Sequence, residues 1–232
     1  MSDPTVTSQL RTLYFDTFKL SQKCIGAGNQ FMGTQKKAWT CDGFTRDAFN
    51  TLGPIMNDDY VADASGAGKA LGGIFTSMGT AQKDTVTAGD AANTEAQSCL
   101  PEIARLRGEV ANIAATLPAG PAAVALANAI ASFDSATKLE GKTKFDVKDL
   151  FSRCDTLLAK STAGAGEIAA DNPKDPKDLT GAALMVNGFV QEIKVNYIEA
   201  GARAGASAST QNQVTQQTNN AAAFLQQAIE SL

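Results

Sequence analysis

Residues 98–133 read SCLPEIARLRGEVANIAATLPAGPAAVALANAIASF, and this stretch decides the fold class. Its large apolar residues recur at alternating spacings of three and four, the period of a helix with one apolar face. They are Ile103, Leu106, Val110, Ile113 and Leu117. The turn PAGP at 118–121 ends this helix and starts another, because proline suits the first helical position. The stretch therefore predicts an antiparallel hairpin with a coiled-coil-like seam. We expect the second helix to turn Val124, Ala127, Ile130 and Phe133 toward the first.

The same helical period extends over most of the chain. After Asp3-Pro4, the spacing predicts one helix to about Gly33, followed by a loop with Trp39 and Cys41. A short helix should then end at Gly53-Pro54, and a segment rich in small residues should run from Asp58 or Asp59 to Ser98. No segment keeps the alternation typical of a β-strand.

The second half of the chain continues this pattern. Helical spacing returns between Phe145 and Leu158, and DNPKDPKD at 171–178 is the strongest break because its prolines cannot continue a helix. A last helix is expected from about Leu179 to Leu232. The sequence thus predicts an all-α protein, an elongated bundle of four to six helices with a long C-terminal helix. We expect a single domain over residues 1–232, with a candidate break at 171–178.

Composition argues against several functions. The 232-residue chain has 20 Lys and Arg, 24 Asp and Glu, a net charge of −4 and no histidine. Without histidine, Ser-His and Cys-His nucleophiles and the commonest general base are absent. Basic residues are scattered, whereas nucleic-acid binding needs a concentrated positive face. We therefore expect a protein that is not an enzyme, uses no cofactor and binds no nucleic acid.

Hydropathy and the N-terminal residues bear on location. No apolar run reaches the roughly 18 residues of a membrane-spanning helix, so no transmembrane segment and no membrane contact are expected. The first residues lack the basic and apolar regions of a secretory signal. These observations favour a cytoplasmic location, with export that needs no such signal as the alternative.

The glycine-rich stretch DASGAGKALGGIF at 63–75 resembles a phosphate-binding loop at first sight. Such a loop requires G-x-x-x-x-G-K followed by serine or threonine. Asp63 stands where the first glycine is needed, and Ala70 stands where the hydroxyl is needed. We therefore predict no nucleotide site. The glycines are interpreted instead as a break or kink between residues 63 and 68, and as close helix packing from Gly72 onward.

The four cysteines are Cys24, Cys41, Cys99 and Cys154, with no C-x-x-C pair to suggest a metal site. They can be four buried small apolar residues, or they can form one or two disulfides. If the first helix ended near Gly33, the next segment could return Cys41 to Cys24 and leave Cys99 to pair with Cys154.

The C-terminal segment carries no charged residue from Ala204 to Ile229. An uncharged helix suggests a face that contacts protein, either this chain or another copy, whereas a frayed polar tail is the alternative. The candidate interaction residues are Gly201, Gly205, Val214, Phe224, Leu225 and Ile229.

Two functional hypotheses follow from these observations. The first is a non-enzymatic structural or assembly protein, a homo-oligomer or a partner of another protein, that self-associates through small-residue and uncharged helical faces. The alternative is a secreted or surface-delivered helical effector or toxin component, which the polar composition and the even number of cysteines would suit.

Overall fold

A computed structural model describes residues 4–57, 63–170 and 176–232, with side chains from Leu179 in the last range. All regular secondary structure in these ranges is α-helical. The helices are α1 (Pro4–Met56), α2 (Ala64–Gln97), α3 (Cys99–Ala114), α4 (Pro121–Glu140), α5 (Lys148–Ala170) and α6 (Pro176–Glu230). The prediction of an all-α fold with a long C-terminal helix is confirmed. Asp3, Asp58, Asp59 and most of the candidate break at 171–178 lie outside the described residues.

The first helix is longer than predicted. α1 is a single helix of 53 residues that continues through Gly33 and past Pro54, so the predicted loop around Trp39 and the separate short helix are wrong. Buried positions continue through the expected loop at spacings of three and four: Phe31, Thr34, Ala38, Cys41, Thr45, Ala48 and Leu52. Small and polar side chains occupy many of these positions. The buried face therefore continues past Gly33, although few large apolar residues mark it there.

The same spacing runs through the other long helices. Buried residues in α6 include Ala183, Val186, Val190, Ile193, Tyr197, Ala200, Ala204, Gln211, Val214, Thr218, Ala221, Leu225 and Ala228. In α2 and α3 the spacing continues across their junction, because Ser98 keeps a helical conformation (φ −67°, ψ −12°). Buried positions that average 3.5 residues apart are typical of helices that pack side by side at a shallow angle.

The chain divides into two compact units, each built from several segments. The first unit consists of Met1–Met32, Asp90–Phe145 and Gly205–Leu232, and the second of Gly33–Gly89 and Asp146–Ala204. The first therefore contains the start of α1, the end of α2 with α3, α4 and the end of α6. The second contains the rest of α1, the start of α2, α5 and the start of α6. A single domain over residues 1–232 stays a prediction.

The first unit contains the predicted hairpin, with one correction. Ile103, Leu106, Val110 and Ile113 are buried, as the spacing in α3 predicts. The face predicted for α4 is correct at Phe133, which is fully buried, and at Ile130, which packs against the core. It is wrong at Val124, which is 61% exposed, and at Ala127, which is exposed. The buried face of α4 consists of Ala122, Ala125, Leu126, Ala129, Ser132, Phe133, Ala136 and Glu140. Leu126 and Phe133, seven residues apart, set this face, and the alanines between them allow the neighbouring helices to approach closely.

The second unit contains a polar network around the buried Gln82. The Gln82 amide Nε2 donates hydrogen bonds to Asp155 Oδ1 at 2.7 Å and to the Phe151 carbonyl at 3.1 Å. The Tyr197 hydroxyl donates to Gln82 Oε1 at 3.4 Å, and the Tyr197 ring meets that of Phe151 edge-on. Gln82 thus links α2, α5 and α6. These bonds also satisfy its buried amide, which would be costly to leave unpaired.

Candidate functional site

The predicted C-terminal interaction residues lie mainly inside the chain. Val214 and Leu225 are fully buried in the first unit, and Phe224 and Ile229 pack against its core. Gly205 is half-buried. Gly201 is buried in the second unit, where a Cβ atom added to this glycine would lie 2.8 Å from the Trp39 indole Nε1. The uncharged segment of α6 therefore docks on its own chain.

Polar side chains in this segment face the core of the first unit. Gln211 and Thr218 are fully buried, and the Ser21 hydroxyl donates to Asn219 Oδ1 at 2.6 Å, joining α1 to α6. Burial explains the lack of charge at Gln211 and Thr218, because an unpaired charge would be costly there.

The glycine-rich stretch at 63–75 forms the start of α2. Asp63 Oδ1 accepts a hydrogen bond from the Gly66 amide at 2.7 Å, so this carboxylate satisfies one of the free amides at the helix N-terminus. Close packing occurs at Gly68, where a side-chain carbon would lie 2.5 Å from the Ala169 backbone nitrogen of α5. Gly72, Gly73 and Gly79 face open space, so the predicted close packing from Gly72 onward is wrong. The helix begins at Ala64, so residues 64–68 contain no break.

Two glycine substitutions in α2 should have opposite effects. We expect Gly68→Ala to destabilise the protein by about 1–3 kcal/mol, because the added methyl group meets backbone atoms of α5. Gly72→Ala, in open space on the same helix, should stabilise it by about 0.5–1 kcal/mol through helix propensity. Thermal unfolding followed by circular dichroism measures both. Equal effects of the two substitutions would contradict close packing at Gly68.

The four thiols are free and buried, as the first interpretation of the cysteines predicts. The predicted Cys24–Cys41 disulfide is wrong, because both residues lie on the continuous α1, about 25 Å apart at 1.5 Å per residue. The neighbour of Cys24 is instead Cys99, in the first unit. In the second unit, Cys41 Sγ lies 3.7 Å from Thr85 Oγ1, and a thiolate at Cys41 would add to the rise in the pKa of Cys154. Burial raises the pKa of Cys41 to about 11 and that of Cys154 to about 12, so these thiols are poor nucleophiles at neutral pH.

Glu140 and Gln211 form a buried polar pair in the first unit that sequence analysis missed. Glu140, the last residue of α4, is 2% exposed, and Gln211 of α6 is fully buried. Neither carboxylate oxygen of Glu140 and neither amide atom of Gln211 completes a hydrogen bond. Burial raises the pKa of Glu140 to about 7, while the nearby Gln211 amide acts in the opposite direction. The available signal was the spacing, since each residue continues the buried series of its helix.

An exposed apolar face runs along α1, and we call its four residues in the first unit the outer stripe of α1. They are Phe15 (60% exposed), Phe18 (49%), Ile25 (37%) and Met32 (55%). Gln22 and Asn29 fill the intervening places, so no charge interrupts the stripe. The outer stripe has the same alternating three- and four-residue spacing as the buried residues on the opposite side of α1.

Within the described ranges, no three His, Cys, Asp or Glu side chains lie together as metal ligands. In the same ranges, no helix combines the length and the hydropathy needed to cross a bilayer. A surface groove of about 430 Å³ lies between α1 and α3 in the first unit. Its charged lining residue, Glu109, is ion-paired with Arg105 at 2.8 Å.

Comparison of the chain with protein-family models, with curated protein sequences and with solved structures finds no match. A functional proposal for this chain therefore rests on its own geometry. The predictions on cellular location, export and nucleic-acid binding stay predictions.

Proposed function

We propose that this chain is a non-enzymatic assembly protein that self-associates through the outer stripe of α1. The observation that supports this is the row of four large apolar side chains left exposed on one uncharged helical face. The uncharged C-terminal helix was the predicted contact surface, either for this chain or for another copy. Because Val214 and Leu225 are buried in their own chain, the outer stripe is the better surface.

The spacing of the outer stripe suits a second copy of the same helix. Apolar residues at alternating three- and four-residue spacings let two helices pair along their length with interlocking side chains. The same stripe on both copies makes a self-complementary, two-fold interface, the commonest kind in homo-oligomers. Uncharged Gln22 and Asn29 would introduce no like-charge repulsion at the centre of such an interface.

The size of the stripe sets the expected strength of the association. Aromatic side chains bury about 150–250 Å² each, so four large side chains at roughly half exposure offer about 400 Å². A stable interface buries about 800 Å² on each partner. The outer stripe with its flanking residues is therefore expected to give a dimer whose population depends on concentration.

This proposal predicts the effect of two charges on α1. We expect the wild-type protein to change from monomer to dimer as its concentration rises in sedimentation equilibrium. The double variant Phe18→Lys/Ile25→Lys should stay monomeric over the same range, because two lysines would be desolvated and brought close together in the interface. Its circular dichroism spectrum should match the wild type, since Phe18 is 49% exposed and a lysine at Ile25, which is 37% exposed, can extend its amine to solvent.

A matched control comes from another exposed apolar residue of the first unit. Val124 on α4 is 61% exposed and lies outside the outer stripe. Val124→Lys should leave the monomer–dimer equilibrium unchanged. The proposal is wrong if the wild type is monomeric at all concentrations up to about 1 mM, or if the Phe18→Lys/Ile25→Lys variant still dimerises like the wild type.

A further inference from the structure

Two cysteines from different helices meet in the core of the first unit. Cys24 of α1 and Cys99 at the start of α3 are both fully buried and belong to the same apolar cluster. The residues that precede them in the chain are in contact, since Lys23 Nζ donates a hydrogen bond to the Ser98 carbonyl oxygen at 3.1 Å. The Cys99 thiol is also the main group that raises the pKa of Cys24, as expected of a close neighbour. The Cys99 thiol also faces the Glu95 carbonyl oxygen, at 3.7 Å. The fold thus brings together two sulfur atoms that lie far apart in the sequence.

We propose that Cys24 and Cys99 are the site of an intramolecular disulfide that joins α1 to α3 when the protein folds under oxidising conditions. A disulfide requires its two cysteines to face each other closely. The folded reduced chain already brings Cys24 and Cys99 together in one buried cluster, with the adjacent Lys23 and Ser98 joined by a hydrogen bond. Cys41, by contrast, lies beside the Thr85 hydroxyl, with its Sγ 3.7 Å from Thr85 Oγ1.

The oxidant we name is a low-molecular-weight disulfide such as glutathione disulfide. One cysteine thiolate attacks this disulfide, forms a mixed disulfide with the protein and releases one glutathione thiolate. The second cysteine thiolate attacks the protein sulfur of the mixed disulfide and releases the second glutathione thiolate. Two protein thiols are oxidised, one glutathione disulfide is reduced, and the two protons pass to the released glutathiones.

The environment of Cys24 indicates when this reaction can occur. The adjacent Cys99 thiol and burial raise the pKa of Cys24 well above its ordinary value, and Glu140 acts in the same direction. The thiolate is therefore rare in the folded protein, and bulky glutathione must reach a fully buried atom. We expect oxidation while the chain folds or opens locally, and slow oxidation of the reduced protein once folded.

The test is to refold the reduced, unfolded full-length chain with a mixture of glutathione and glutathione disulfide. Free thiols are then blocked with N-ethylmaleimide, and mass spectrometry after non-reducing digestion identifies the linked peptides. We expect the peptide with Cys24 to be linked to the peptide with Cys99. The disulfide should raise the melting temperature above that of the reduced protein by roughly 5–15 °C, because it closes a long loop.

Two variants separate this site from general oxidation. Cys24→Ser should lose both the linked peptide and the increase in melting temperature, whereas Cys41→Ser/Cys154→Ser should keep both. The proposal is overturned if N-ethylmaleimide labels all four cysteines of the refolded wild type, or if Cys24 is linked mainly to Cys41 or Cys154. These outcomes are read from the wild-type chain and do not require Cys24→Ser to fold.

Discussion

Replacing Leu106 by alanine is expected to lower the free energy of unfolding by about 2–5 kcal/mol. Leu106 is fully buried at the centre of the α3 face, in the cluster that holds Leu10, Leu126 and Phe133. The substitution removes apolar contacts and leaves a cavity that close-packed helices fill only in part. Denaturant unfolding of the wild type and the variant, followed by circular dichroism, measures the difference.

Val124→Ala is the matched control, because it shortens an apolar side chain on the opposite helix of the same hairpin. Val124 is 61% exposed, so we expect this variant to change stability by less than about 0.5 kcal/mol. The sequence predicted that Val124 faces α3, and both substitutions would then be destabilising. A large effect of Val124→Ala with a small effect of Leu106→Ala would contradict the arrangement of the hairpin.

The fold class was predictable wherever large apolar side chains mark the buried face. Ile103, Leu106, Val110 and Ile113 define α3 directly, and Val186 to Tyr197 mark α6 in the same way. Prediction failed where small or polar residues occupy buried positions. In α1, Thr34 and Thr45 are fully buried, and the Thr45 hydroxyl bonds within its own helix to the Asp42 carbonyl at 2.6 Å. A threonine satisfied in this way can replace an apolar core residue without interrupting the helix.

Less of the candidate sites was predictable, because they depend on which helices become neighbours. The uncharged composition of the C-terminal helix predicted contact with protein, either this chain or a second copy. In the structure Val214 and Leu225 of this helix are buried within the chain itself. The outer stripe was hidden because Phe15 and Phe18 look like core residues until the buried face of α1 is known. The approach of Cys24 to Cys99 is a long-range contact that neither local sequence can indicate.

Glu140 gives the second large expected effect, on the pH dependence of stability. Its carboxyl group is almost fully buried and lacks a hydrogen bond, with Gln211 of α6 and the Cys24 thiol of α1 nearby. Its pKa is raised from 4.5 to about 7 in the folded protein, so between these values the folded state binds the proton more tightly than the unfolded chain. Stability should therefore fall as the pH rises from about 4.5 to 7, and the loss should be complete above that range.

We expect Glu140→Gln to remove this loss, because glutamine has nearly the same shape and does not ionise. The difference between the two pKa values corresponds to about 3 kcal/mol, so the variant should be more stable than the wild type by up to about that amount at pH 8. At pH 4.5 the two proteins should differ little. Denaturant unfolding at both pH values measures this difference.

Glu109→Gln, at a half-exposed carboxylate of α3, is the control and should show no comparable gain at pH 8. If Glu140→Gln has the same effect at both pH values, Glu140 does not bear a buried charge in the folded protein, because only ionisation distinguishes the two conditions at this side chain.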